Sequence, residues 1–242
     1  LVATKLGNNF TKQSVGINIL HIKSNVHGGA KSHNVTTEEK YLKDAGLLLE
    51  HHKEHPTDTR TIFYLAQSYR DANKPEEALK WYKKRMDMGG WDEEVYFAKY
   101  SYAMCKARTG KYDFETDLLY DLLKAWNYRK TRLEALFTIV NTYRINGAYQ
   151  RAFAYGMLAF GVEKPEDLLF VHKAIHDYRF IDEVAISAYW CGHYKISKNL
   201  GEKILREKRF PAKDEARLKK NLQYSLDKLS EIEKSKKEII SV

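Results

Sequence analysis

From about residue 37 onward, apolar and small residues recur every three or four positions, the spacing that lines one face of an α-helix. Ile62, Leu65, Ala66 and Tyr69 stand at i, i+3, i+4 and i+7, and after Asn73-Lys74-Pro75 the residues Ala78 and Tyr82 stand at i and i+4. Proline is tolerated at a first helical position, whose N–H has no intrahelical partner. The pattern predicts a helix, a tight turn and a second helix. Ala66 and Ala78 let the two helices approach closely, and Tyr69 and Tyr82 fill the space around that contact.

The same grammar repeats. Turn residues fall at Asn73, Gly110, Gly147 and Gly192, spaced by 37, 37 and 45 residues. A third unit reads Leu136, Val140 and Tyr143, the Asn146-Gly147 turn, then Ala152, Gly156 and Ala159. A fourth reads Ile181, Val184, Ala185 and Ala188, the Gly192 turn, then Ser197, Gly201 and Ile204, closed by Pro211. The second unit, around Ala103, Gly110 and Leu119, is degenerate, with Glu115 expected where a small residue belongs. A helix over 37–55 (Tyr41, Leu42, Ala45, Leu48, Leu49) precedes the array, capped by Thr36 or Thr37. A helix from Asp214 to about Ile232, with Leu218, Leu222, Leu226 and Leu229, closes it as a polar-faced cap, and 236–242 is expected to fray.

Periods of this length mark a helical-repeat array, and the small-and-large pattern resembles the tetratricopeptide repeat. The expected fold class is therefore all-α, a tetratricopeptide-like helical-hairpin solenoid over 36–235 with a short N-terminal strand and loop segment. Residues 1–35 stand outside the repeat: 15–22 alternate like a strand, and 27–34 read as an exposed loop. One strand needs a partner, so this segment is expected to be the tail of an upstream catalytic domain or a linker.

Composition narrows the function classes. With 43% hydrophobic residues and 4 prolines the chain is foldable, and its 17 tyrosines suit helix packing with a polar tip. The two cysteines, Cys105 and Cys191, offer neither a disulfide framework nor zinc spacing, so a reducing, cytoplasmic setting is expected. No apolar run is long enough to span a membrane. The net charge is +9, and residues 195–242 hold 14 Lys+Arg against 8 Asp+Glu. That excess is read as the solvated face of the last helix. Without a recognition motif, nucleic acid is not an expected partner.

Several segments together resemble family-2 glycosyltransferases that carry a tetratricopeptide-like region after their catalytic domain. They are His27-Gly-Gly-Ala-Lys-Ser32, Arg60–Tyr69, Arg85-Met-Asp-Met-Gly-Gly-Trp-Asp-Glu-Glu-Val95, Tyr128–Ala135 and Asp177–Ser187. The Gly-Gly-Trp-x-Glu-Glu stretch is the most specific. The resemblance implies a parent enzyme that uses a nucleotide-sugar and a divalent metal, both bound by an upstream domain. The metal-binding Asp-x-Asp is absent here, so no catalytic residue, cofactor or metal is assigned to this chain.

Candidate chemistry is correspondingly thin. His51, His52 and His55 lack metalloprotease order and read as polar surface, and Gly28-Gly29 with His21, His27 and His33 reads as a flexible loop. Asp113, Asp117 and Asp121 read as a solvated face. Arg85, Gly89, Gly90, Trp91, Glu93 and Glu94 form the densest group. Glycine supplies a left-handed turn, Trp91 is expected to bury against the next helix, and Glu93 or Glu94 to cap it or pair with Arg85. The candidate binding residues are Arg60, Tyr64, Gln67, Arg85, Trp91, Glu93, Glu94, Arg132, Tyr178 and Arg179.

Two functions fit. One is an interaction module whose concave face binds a protein, peptide or glycan acceptor. On this reading it is the C-terminal helical region of a glycosyltransferase, which could also oligomerise the enzyme. The other is a free-standing adaptor with no link to sugar transfer. A self-contained enzyme would need convergent acid–base or metal groups, and the sequence offers none.

Overall fold

A computed structural model describes residues 2–6, 9–13, 35–163 and 165–240. Strands β1 (Val2–Leu6) and β2 (Asn9–Gln13) pair antiparallel, with Val2 opposite Gln13 and Leu6 opposite Asn9. This pairing within the chain was not expected from the pattern. The strand expected over 15–22, the loop over 27–34 and the Gly28-Gly29 group lie outside the described residues.

Among the described residues ten α-helices follow: α1 (Thr37–Glu54), α2 (Thr59–Asp71), α3 (Pro75–Asp87), α4 (Asp92–Thr109), α5 (Leu119–Tyr128), α6 (Glu134–Ile145), α7 (Tyr149–Met157), α8 (Phe180–Trp190), α9 (Tyr194–Glu207) and α10 (Ala212–Ile240). Each packs on the next, so the chain is a tetratricopeptide-like helical solenoid. Four hairpins, α2/α3, α4/α5, α6/α7 and α8/α9, are flanked by α1 and α10. The last helix runs to Ile240, beyond the expected end near Ile232.

The small positions do what their spacing requires. Ala66, Ala78, Tyr82, Ala98 and Cys105 form one fully buried cluster, which fixes the register of the first hairpin. Leu136, Val140, Tyr143 and Ala152 lie in the largest core cluster. Burial pushes the Cys105 thiol up to about 11, so it behaves as a small apolar side chain. The α1 cap is a true capping box. Thr36 Oγ1 accepts from the Glu39 N–H at 3.1 Å while the Glu39 carboxylate accepts from the Thr36 N–H at 2.8 Å, so Thr36 and not Thr37 is the cap.

The second hairpin corrects the expected register. A π-helical turn, Phe114–Leu118, precedes α5 and adds a residue to the helical count. Leu122 and Ala125, not the position of Glu115, enter the core shared with Ala103. Glu115 is exposed and accepts from Tyr143 Oη at 2.8 Å and Arg151 at 2.6 Å. The three aspartates also differ from a plain solvated face. Asp113 caps the π turn, and Asp121 pairs with Lys106 of α4 at 2.7 Å, both side chains largely buried.

Candidate functional site

The first helices of successive hairpins are tied together by polar bonds that span roughly one repeat. Arg60 of α2 pairs with Glu94 of α4. Tyr96 of α4 donates to Glu134 of α6 at 3.1 Å. Asn141 of α6 donates to Glu183 of α8 at 3.0 Å, and Arg144 pairs with the same carboxylate. Arg217 of α10 reaches Asp182 of α8 at 2.7 Å. These bonds run along one side of the array, the first-helix face, and the ten candidate binding residues group in two sections, eight in an N-terminal one and Tyr178 and Arg179 in a C-terminal one.

In the N-terminal section, Gly89 and Gly90 both adopt positive φ, +67° and +87°, conformations that favour glycine. The turn they make sets Trp91 at the N-cap of α4, 45% exposed. The expected burial of Trp91 is thus corrected: the ring faces outward and is covered by the Arg60 guanidinium, 5.4 Å from its centroid. Arg60 also lies 4.9 Å over Tyr64. Glu94 is buried and receives Arg85 at 2.9 Å as well as Arg60, the pairing expected from the sequence. Arg85 further donates to the Gly89 carbonyl at 2.7 Å, locking the turn. Gln67, one turn along α2, is buried with its amide nitrogen unpartnered among the described residues.

Arg85 and Glu94 are therefore supports and not contact residues, because each is fully or almost fully buried and committed to partners on α2, α3 and α4 or their connection. Arg132 forms a fork on Glu134, with its guanidinium 4.6 Å over the Tyr96 ring. Burial alone would raise the Glu134 carboxyl. The His176 ring 3.6 Å away, the Arg132 fork and the bond from the His172 N–H override it and hold the group well below the usual carboxylate range.

A second group was missed entirely by the sequence. The segment 165–172, between α7 and α8, crosses onto this section. Glu93 accepts the Leu168 and Leu169 N–H groups at 2.8 and 2.7 Å. Arg132 donates to the Leu169 and Phe170 carbonyls at 3.0 and 3.1 Å. Asp167 is gripped by Arg129 at 2.6 Å and Arg132 at 3.2 Å, and Phe170 sits 4.7 Å from the Phe97 ring. The only advance sign was the turn spacing, 45 residues from Gly147 to Gly192 where the others are 37.

In the C-terminal section, Tyr178 and Arg179 sit on a second π-helical turn, Ile175–Arg179, ahead of α8. They border an open cavity of about 610 Å³ that also takes Arg144, Asp182, Glu183, Lys213, Asp214 and Arg217. Tyr178 is buried and donates to Asp214 at 2.6 Å. Arg179 and Lys213 are exposed and have no carboxylate within ion-pair distance among the described residues. Arg179 lies 4.9 Å over the Phe137 ring. Burial raises the Asp182 carboxyl despite the pull of Arg217.

The histidines of this group make contacts with neighbouring helices. His51 Nδ1 meets Thr61 Oγ1 at 2.9 Å, and His52 packs edge-on to Trp81 and meets Lys84 at 2.9 Å. No cluster of three metal-ligating side chains occurs among the described residues, and no described helix is long and apolar enough to cross a membrane.

No protein-family model matches the chain, and no curated protein matches it. Two crystal structures of MamA are similar in fold. One is 14% identical, with TM-score 0.50, covering 72% of this chain and 95% of its own. The other is 16% identical, with TM-score 0.50, covering 74% and 88%. Both are tetratricopeptide-like helical solenoids, and they support that architecture for this chain.

Proposed function

We propose that this chain is an interaction module whose first-helix face, the concave side of the solenoid, binds an extended acidic peptide of a partner protein in its C-terminal section. The observation that carries the reading is the pair of uncompensated cations, Arg179 and Lys213, at a chamber of about 610 Å³ whose other charges are already paired or bonded. An incoming carboxylate meets them without breaking an internal pair. Tyrosine and arginine beside such a chamber suit peptide contacts that are individually modest.

The test is binding of an acidic peptide library to the full chain, followed by the double charge reversal Arg179→Glu with Lys213→Glu. Binding should fall at least tenfold, and raised salt should weaken it, because exposed charges are screened over about 8 Å at physiological ionic strength. Equal binding by the reversal variant removes the chamber as the site.

The glycosyltransferase reading is the narrower form of this proposal. What favours it is that the segments that resemble that family, 60–69, 85–95, 128–135 and 177–187, supply Arg60, Arg85, Glu94, Arg132, Glu134 and Arg179 to the same face. On that reading the module positions a partner or a glycan acceptor for an upstream domain. A reading frame upstream of Leu1 that encodes a strand–helix domain with Asp-x-Asp supports it, and one that encodes none removes it.

A further inference from the structure

The N-terminal section of the first-helix face holds its own occupant, and the way it is held is that of a bound peptide. The contacts fall into two kinds. Glu93 takes two successive backbone amides of the strap, and Arg132 takes two successive backbone carbonyls. Such contacts grip any extended chain. Two others read side chains: the Asp167 carboxylate lies between Arg129 and Arg132, and the Phe170 ring lies against Phe97 at 4.7 Å and Phe63 at 6.4 Å.

We propose that residues 165–172 are a built-in ligand, and that the surface beneath them is a peptide site for a partner segment carrying a carboxylate and, three residues further on, an aromatic ring. The equivalent connections from one hairpin to the next, 88–91 between α3 and α4 and 129–133 between α5 and α6, are short and carry no such strap. Little packs over it: Leu168 is 88% and Phe170 46% exposed. Phe170 sits at φ +49°, a left-handed conformation that disfavours a non-glycine residue and that an incoming peptide need not adopt. Exchange leaves no buried charge stranded, because a partner carboxylate in place of Asp167 keeps the fully buried Arg132 paired. This inference is independent of the cationic chamber and stands if the chamber binds nothing.

The test uses a labelled octapeptide, Pro-Glu-Asp-Leu-Leu-Phe-Val-His, and the full chain carrying Asp167→Asn with Phe170→Ser, which releases the strap. The released chain should bind the peptide at least tenfold more tightly than wild type, and a peptide with Asn and Ser at the two reading positions should not bind. A released chain with unchanged helical circular dichroism that does not bind the peptide overturns the proposal. So does a dimer of the released chain, which would give the site to a second copy. If that variant fails to fold, hydrogen exchange of the wild-type Leu168 and Leu169 amides decides. Exchange that quickens on adding millimolar octapeptide supports displacement. Protection equal to that of the α6 interior, unmoved by peptide, overturns it.

Discussion

A Cβ built on Gly156 would stand 2.5 Å from Cγ2 of Val184, closer than real side chains come. Gly156 is the point where α7 meets α8, and Val184 is β-branched and stiff, so it cannot rotate away cheaply. Gly156→Ala should therefore cost about 1–3 kcal/mol through overpacking, even though alanine favours the helix. Gly201 is the control. Its nearest neighbour, Leu222 Cβ, would lie at 3.4 Å, so Gly201→Ala should be near neutral or stabilising. Thermal melts of the two variants decide: equal shifts would place the close approach elsewhere.

Ala78 is fully buried in the contact between α2 and α3, beside Ala66 and Tyr82. Ala78→Leu inserts three carbons where no space exists and should cost about 1–3 kcal/mol. A urea midpoint unchanged by the substitution would displace the register of the first hairpin.

Arg132 and Glu134 are both fully buried, and each is also bonded to the strap or its flank. Removing one partner leaves a buried charge, so Arg132→Ala should cost about 3–5 kcal/mol. The pair also sets the acid response. Burial raises both Glu134 and Asp167, yet their cationic and N–H partners bring both below ordinary carboxylate values. A depressed folded-state pKa means that the unfolded chain binds more protons in acid. The stability from these groups is present above the unfolded value of about 4 and is lost as pH falls through the folded values. Urea midpoints measured from pH 7 to pH 3 should drop steeply, and Glu134→Gln should flatten that slope. Parallel curves for the two proteins would remove Glu134 from the acid response.

The helices were legible because their small residues must recur at fixed places for two helices to touch. Ala66, Ala78, Ala152 and Gly156 needed no structure to be placed. The second hairpin was read out of register because the turn at Phe114–Leu118 adds a residue to the helical count, and periodicity counts only regular turns. The candidate surface was half legible. Arg60, Trp91 and Glu94 stood in one short motif, but their burial was not written there: Trp91 is outside and Arg85 inside. Asp167 and Phe170 were invisible, since an irregular strap has no period. Glu134, two residues from Arg132, acquires its meaning only once Tyr96, His172 and His176 from other elements converge on it.

Trp91 separates the structural reading of the Gly-Gly-Trp motif from the binding one. Its ring is 45% exposed and its chief contact is the Arg60 guanidinium, whose charge is held by Glu94 whether or not the ring is present. Trp91→Ala thus removes a cation–π contact worth about 0.5–1 kcal/mol at a partly exposed site. The turn itself persists, because it rests on Gly89, Gly90 and the bond from Arg85 to the Gly89 carbonyl. The melting temperature should move by only a few degrees, while Arg85→Ala, which strips that bond and leaves Glu94 short of a partner, should cost several times more. A large loss on Trp91→Ala, comparable to Arg85→Ala, would make the tryptophan a packing residue and take it off the ligand-facing surface.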